Sequence, residues 1–132
     1  MKIAISGSMS FSKEMLELKN KLEARKHIVI IPAGADKFAK GIIDTKDKWE
    51  KIKQDVIRRY FEEIKKADAI LVINKDKNNT KNYIGGNGLI EMAFAHVLRK
   101  KIFLLNAIPQ MRYTDEIKLM QPVILNGNIN NI

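Results

Sequence analysis

A glycine-rich segment with a single carboxylate is the part of this sequence best suited to chemistry. Residues 83–96 read YIGGNGLIEMAFAH, with Gly88 and Glu91 at the start of an apolar stretch. The pattern predicts a helix that begins at Gly88 and carries Glu91 in its first turn. Backbone N–H groups and the helix dipole would keep a carboxylate ionised there, and the glycines would let another molecule approach the backbone. Glu91 is therefore a candidate nucleophile, and its simpler alternative is a helix-capping role.

A second polar junction follows the first apolar run of the chain. Residues 6–10 read SGSMS, and hydroxyls with free backbone N–H groups at a helix start suit phosphate or sugar oxygens. A plain serine cap is the alternative. The segment is neither a G-x-G-x-x-G fingerprint nor a Walker loop, which argues against NAD and nucleoside triphosphates. Three lysines just ahead of the glycine-rich segment favour a local anion site: Lys75, Lys77 and Lys81.

The remaining polar residues give weaker signals. Asp68 directly precedes the apolar run 69–73, where spacing alone favours a turn residue. His27 and His96 have no second imidazole or carboxylate at metal-ligand spacing, so the sequence predicts no metal site. No G-x-S-x-G elbow supports a serine hydrolase triad.

Short apolar runs alternate with longer amphipathic stretches along the chain. We predict buried strands at residues 3–5, 27–31, 69–73, 102–105 and 123–125. Helical spacing of apolar residues predicts helices at 11–25, 46–66, 88–99 and 114–120. The second helix should present one core-facing side made of Trp49, Ile52, Val56, Tyr60 and Ile64. Because the strands are continuously apolar, helices should cover both faces of a parallel sheet. The order predicts one doubly wound α/β domain spanning residues 1–132.

Composition narrows the class of protein further. The chain has 132 residues and no cysteine, so disulfides and thiolate metal sites are excluded. The first apolar run is too short for a signal peptide and no run is long enough to cross a bilayer, so we expect a cytoplasmic protein with no membrane partner. The net charge of +9 invites a nucleic-acid interpretation. Mixed-sign charge runs and the low aromatic content of 7% argue against that partner.

The arrangement resembles the nucleoside 2-deoxyribosyltransferase-like superfamily, which includes 2'-deoxynucleoside 5'-monophosphate N-glycosidases. The resemblance extends from residue 1 to about residue 125. It rests on a Gly-Ser pair after the first strand and on three stretches: DAILV at 68–72, GGNGLIEMAFA at 85–95 and KIFLL at 101–105. It implies a flavodoxin-like five-stranded parallel sheet, a dimer as the basic unit and no cofactor.

The resemblance also implies roles for individual residues. Glu91 would attack the anomeric carbon of deoxyribose, and Asp68 would supply the proton that the departing base needs. Lys118 would reach the neighbouring subunit's site, where a lysine suits a phosphate, so a nucleotide is favoured over a free nucleoside. The sugar or its 5'-substituent would be held by Gly7, Ser8, Met9, Ser10, Gly85 and Asn87.

One departure from the family pattern keeps alternatives open. Relatives often have a tyrosine in the first strand that orients the nucleophile, whereas this strand reads Ile3-Ala4-Ile5. Two other functions therefore stand beside hydrolysis of a deoxynucleotide. The first is deoxyribosyl transfer on free nucleosides, and the second is a nucleotide-binding sensor without turnover.

Overall fold

The computed structural model describes the backbone of residues 1–41 and 46–132 and the side chains of residues 1–41 and 55–132. Five parallel strands form one sheet, β1 (Lys2–Gly7), β2 (Ile28–Ile30), β3 (Ala69–Ile73), β4 (Lys101–Leu104) and β5 (Val123–Ile124). The helices are α1 (Ser12–Ala24), α2 (Ala35–Ala39), α3 (Lys46–Lys66), α4 (Gly86–Val97) and α5 (Thr114–Leu119). Two 3-10 turns span Met9–Phe11 and Ile129–Asn131.

The strand order is β2-β1-β3-β4-β5, which confirms the predicted flavodoxin-like α/β fold. The register pairs Ile3 with Ala69 and Gly7 with Ile73, so β1 and β3 run side by side over nearly their whole length. The chain leaves β1 to one side for β2 and returns to the other side for β3. This reversal makes the β1/β3 junction the topological switch point, where open α/β sheets bind ligands.

Two apolar layers hold the sheet between helices. On one face, α1 contributes Met15 and Leu22 to a cluster with Ile3 and Ile5. On the other face, helices α3, α4 and α5 pack on the sheet in a cluster that includes six buried side chains: Tyr60, Ile64, Met92, Ala95, Leu104 and Ile117. The predicted core positions Tyr60 and Ile64 are confirmed, and Val56 is half-buried. The predicted core positions Trp49 and Ile52 lie outside the described side chains.

The start of one predicted helix differs from the structure, and one short helix was not predicted. Helix α4 begins at Gly86 rather than Gly88, because Gly85 is extended at φ −81° and serves as its N-cap. Short α2 was not predicted. It begins after Gly34, whose φ of 84° lies in the left-handed region that glycine adopts without strain.

All loops that lead into strands meet at one end of the sheet, which we call the amino edge. The loops that follow strands meet at the opposite end, the carboxyl edge. Seven of the chain's 24 Lys and Arg residues lie in or directly next to the segments of the amino edge. They are Lys2, Arg25, Lys26, Lys66, Arg99, Lys100 and Lys101. The acidic residue among these segments is Asp68, so the amino edge is strongly basic.

Candidate active site

A buried carboxylate lies at the carboxyl edge, beside the β1/β3 junction. Glu91 is 8% exposed and Ser6, near the end of β1, is fully buried. The Ser6 hydroxyl donates a hydrogen bond of 2.5 Å to Oε1 of Glu91. Both residues are separated from bulk water on most sides, so this contact is an electrostatically strong one.

The position of Glu91 corrects the sequence-based expectation for its charge. Because α4 begins at Gly86, Glu91 lies in the second turn, and the first turn carries no acidic residue. Its carboxylate is therefore not held by the free backbone N–H groups of the helix start. Burial raises the pKa of Glu91 from 4.5 to about 7, and the hydrogen bond from Ser6 opposes that rise. A carboxyl group in this state is close to half protonated at neutral pH.

Two glycines lie where α4, β1 and β3 approach one another around this contact. A Cβ atom on the buried Gly88 would lie 3.3 Å from Cγ2 of Ile84 and 4.0 Å from Oγ of Ser6. A Cβ atom on Gly7 would lie 3.1 Å from the carbonyl oxygen of Ile73. Larger side chains at these positions would push the helix away from the strand ends.

A cleft of about 430 Å³ opens over Glu91. Its walls combine apolar residues from the end of β2 with a face of α3: Met9, Ile30, Ile31, Pro32, Ala33, Val56, Arg59, Tyr60, Glu62 and Glu63. The size is within the range of cavities that hold small organic ligands. Among the described residues of this lining, Arg59 is the one cation and Glu62 and Glu63 are the acids besides Glu91.

Tyr60 fixes the wall of the cleft next to Glu91. Its hydroxyl donates to the carbonyl oxygen of Ile5, and the carbonyl oxygen of Ile30 lies 3.2 Å from the same hydroxyl. The side chain thus bridges the ends of β1 and β2. Burial raises the pKa of Tyr60 well above 10, with further contributions from the charges of Glu91 and Glu63. Tyr60 is therefore a neutral hydrogen-bond donor that ties two strand ends together.

The two glycine- and serine-rich junctions predicted from the sequence meet in space. Lys77 donates a hydrogen bond of 2.6 Å to the Ser8 hydroxyl, which lies 2.8 Å from the Ser10 hydroxyl. The Lys77 ammonium also lies 5.7 Å from the ring centroid of Tyr83. Gly85 packs under that ring, since a Cβ atom there would be 3.3 Å from Cε1 of Tyr83. Hydroxyls and a cation are thus gathered beside the N-terminus of α4, an arrangement suited to an anion.

A pair of asparagines holds the strand ends from which the glycine-rich loop departs. Asn74 is fully buried and its Nδ2 donates to the carbonyl oxygens of Asn106 and Ala107, both at 3.0 Å. The Asn106 backbone N–H donates to Oδ1 of Asn74 at 2.8 Å. These bonds join the segments after β3 and β4. The loop that carries Lys77 and Tyr83 therefore starts from a fixed point.

Asp68 is not part of this site. It lies at the amino edge, where its Oδ2 accepts a hydrogen bond of 2.8 Å from the backbone N–H of Lys2. The five residues of β3 separate it from the carboxyl edge, a distance of about 17 Å at 3.3 Å per residue. A general acid must lie within hydrogen-bond reach of its target, so Asp68 cannot protonate a base held at Glu91.

The other predicted site residues fall into two groups. Gly7, Ser8, Met9, Ser10, Gly85 and Asn87 all lie at the carboxyl edge, and Met9 lines the cleft itself. Lys118 is exposed in the last turn of α5, a helix that runs toward the amino edge. The Lys118 ammonium therefore does not lie in the cleft of its own chain.

The sequence places Ser6 in the polar junction at residues 6–10 but does not link it to Glu91, and it names Lys77 without linking it to Ser8. Tyr60 was predicted as a core residue and not as a site residue. Within the described part of the chain, no three His, Asp or Glu side chains are grouped so as to hold a metal ion. No described helix is long and apolar enough to cross a membrane.

Comparison with known families adds no further constraint. No protein-family model matches the chain, and no curated protein matches it.

Proposed function

We propose that this chain cleaves the N-glycosidic bond of a 2'-deoxynucleoside 5'-monophosphate in the cytoplasm, with Glu91 as the nucleophile. The observation that carries the proposal is a buried carboxylate, fixed by Ser6 at the β1/β3 switch point, beneath a cleft of about 430 Å³. The motif resemblance to deoxyribosyltransferase-like enzymes supports the same chemistry. The products are the free base and deoxyribose 5-phosphate.

The reaction proceeds in two displacements. A carboxylate oxygen of Glu91 forms a bond to the anomeric carbon while the bond from that carbon to the base nitrogen breaks. The electron pair of the broken bond stays on the base nitrogen, which takes up a proton. Water then attacks the anomeric carbon, gives a proton to the group that protonated the base, and releases the Glu91 carboxylate. The dry surroundings of Glu91 strengthen its attraction for the positive charge that develops on the sugar.

The proton for the base has to come from the cleft, because Asp68 lies at the other end of the sheet. Glu62 and Glu63 are the described acids of the lining besides Glu91, and Glu63 is half-buried on the same helix face as Tyr60. We assign the general acid to this pair, with Glu63 preferred because its side chain is half-buried beside Tyr60, whereas Glu62 is exposed.

The preference for a 5'-monophosphate comes from Lys77. Its ammonium lies with Ser8 and Ser10 beside the start of α4, and three such donors suit phosphate oxygens. We also propose a homodimer in which Lys118 of the partner subunit completes the same site. Its exposure in α5 makes it available to a neighbour.

A nucleotide-binding sensor is the second candidate function. The observation that favours it is the placement of Asp68 at the amino edge, which removes the predicted proton donor from the cleft. A sensor would bind the nucleotide in the same cleft and release no base. Transfer of deoxyribose to a second base, in place of hydrolysis, would use the same Glu91 intermediate.

The test is a chromatographic assay for free base with dAMP, dGMP, dCMP, dTMP and their nucleosides. We expect release from at least one nucleotide, lost in Glu91→Gln and retained in Glu17→Gln, which alters an exposed glutamate of α1. Adding a second base separates transfer from hydrolysis. Tight nucleotide binding without release by the wild-type chain would favour the sensor.

A further inference from the structure

We propose that Ser6 is a positioning residue that holds one oxygen of Glu91 so that the other oxygen faces the reacting sugar. The inference rests on the proposed function in naming the sugar. The arrangement of the two carboxylate oxygens is independent of it.

The two oxygens of Glu91 have different surroundings. Oε1 accepts the 2.5 Å hydrogen bond from Ser6. Oε2 accepts no hydrogen bond from the described residues, among which no buried side-chain oxygen or nitrogen lacks a partner. Oε2 is therefore accessible to solvent, and Glu91 lines the cleft. The oxygen that a ligand in the cleft can contact is the one that Ser6 leaves free.

The Ser6 hydroxyl is itself held in place by the sheet. Ser6 is fully buried and pairs in register with Val72 of β3. The preceding carbonyl, that of Ile5, accepts from Tyr60. On the other side, α4 packs near the hydroxyl at Gly88, where a Cβ atom would lie 4.0 Å from Oγ of Ser6. The donor thus belongs to a tightly constrained part of the molecule, as a group that orients a nucleophile must.

Ser6 also influences when Glu91 is ionised, because a donor to a carboxylate favours its charged form. The other groups near Glu91 come from α3: the Tyr60 hydroxyl beside it, and Arg59, Glu62 and Glu63 in the cleft lining. None of these groups changes when Ser6 is replaced. A difference in titration between wild type and a Ser6 variant therefore reports the hydroxyl alone.

The first experiment follows the side-chain carboxyl carbon of Glu91 by 13C NMR as a function of pH, with Glu91→Gln identifying its resonance. We expect Ser6→Ala to raise the Glu91 pKa by about one pH unit or more, the size of one hydrogen bond to a charged group. Ser6→Cys fills nearly the same volume with a weak hydrogen-bond donor. We therefore expect most of the rise in the Glu91 pKa in this variant too. Ser12→Ala, which alters another buried serine, should leave the pKa unchanged.

The second experiment measures base release by the same variants across pH. Ser6→Ala should shift the rising limb of kcat/KM to higher pH. It should also lower kcat about tenfold at a pH of about 9 with little change in KM, because misorientation persists after ionisation. An unchanged Glu91 titration in folded Ser6→Ala, or in Ser6→Cys if the alanine variant does not fold, would overturn the inference. Absence of base release by wild type would instead overturn the proposed function, and the NMR titration would still decide the role of Ser6.

Discussion

The two ends of the same sheet place a carboxylate in opposite surroundings, buried at one end and exposed at the other. At the carboxyl edge, a carboxylate is buried beside Ser6 and its pKa is raised to about 7. At the amino edge, Asp68 is exposed and accepts one backbone hydrogen bond amid a basic surface. Both residues are carboxylates near β3 in sequence order, one just before it and the other in the helix that follows it. Burial, and not residue type, distinguishes the two carboxylates.

The largest expected difference between the edges is in catalysis. Glu91→Gln should lower base release by at least about a thousandfold, because an amide cannot form the glycosyl ester. The measurement is single-turnover release of base from the best nucleotide. Asp68→Asn is the matched carboxylate-to-amide change at the other edge. Residual activity of Glu91→Gln within about tenfold of wild type would contradict the assignment of the nucleophile.

The next expected effect is on the free energy of unfolding. The direction of its pH dependence follows from the raised pKa of Glu91. Folding raises the pKa of Glu91 from 4.5 to about 7, so the folded chain binds the proton more tightly than the unfolded chain. The contribution of Glu91 to stability is therefore lost as pH rises from about 4.5 to about 7 and is constant above that range. The loss reaches about 3 kcal/mol.

Glu91→Gln removes this cost, and we expect the variant to be more stable than wild type at a pH of about 8 and similar to it at about 4. Urea denaturation at both pH values measures the difference, with Glu17→Gln as the control. A variant less stable than wild type at the higher pH would show that the carboxylate is better solvated than its burial indicates.

At the carboxyl edge, we expect a smaller loss of activity when Lys77 is replaced than when Glu91 is replaced. Lys77→Ala should lower kcat/KM for a deoxynucleotide about tenfold or more, since it removes a charged donor to phosphate. The value for the corresponding nucleoside should change little. Lys81→Ala, in the same loop but exposed to solvent, is the control. Equal losses of kcat/KM for the nucleotide and the nucleoside would show that Lys77 does not bind the phosphate.

The smallest effect belongs to the amino edge. Asp68→Asn should change base release by less than about twofold and the free energy of unfolding by less than about 1 kcal/mol, because it perturbs one exposed hydrogen bond. Steady-state kinetics and urea denaturation measure the two quantities. A loss of activity approaching that of Glu91→Gln would mean that the two edges are coupled.

The contrast also shows what this sequence could predict. Continuous apolar runs predicted all five strands, because a sheet buried on both faces excludes polar residues from its interior. The direction of the strands was implied by the same pattern. In a parallel sheet, a residue that precedes a strand lies at the amino edge, so strand direction alone is enough to separate Asp68 from Glu91.

Other features depend on packing that no local pattern encodes. The contact between Ser6 and Glu91 joins residues 85 positions apart, and the raised pKa of Glu91 follows from the burial that this contact requires. The start of α4 was misplaced because three closely spaced glycines, Gly85, Gly86 and Gly88, offer several helix starts of similar energy. Backbone geometry at Gly85 resolves that choice in the folded chain.

The basic amino edge has a practical consequence for handling the protein. Because its seven Lys and Arg residues lie at the end of the sheet opposite the cleft, adsorption to a negatively charged bead or chip should be oriented. The attached molecules would present the Glu91 cleft to the solution, and added salt would release them by screening the attraction. A sulfonated support could thus serve as a reversible, uniformly oriented display for ligand-binding measurements.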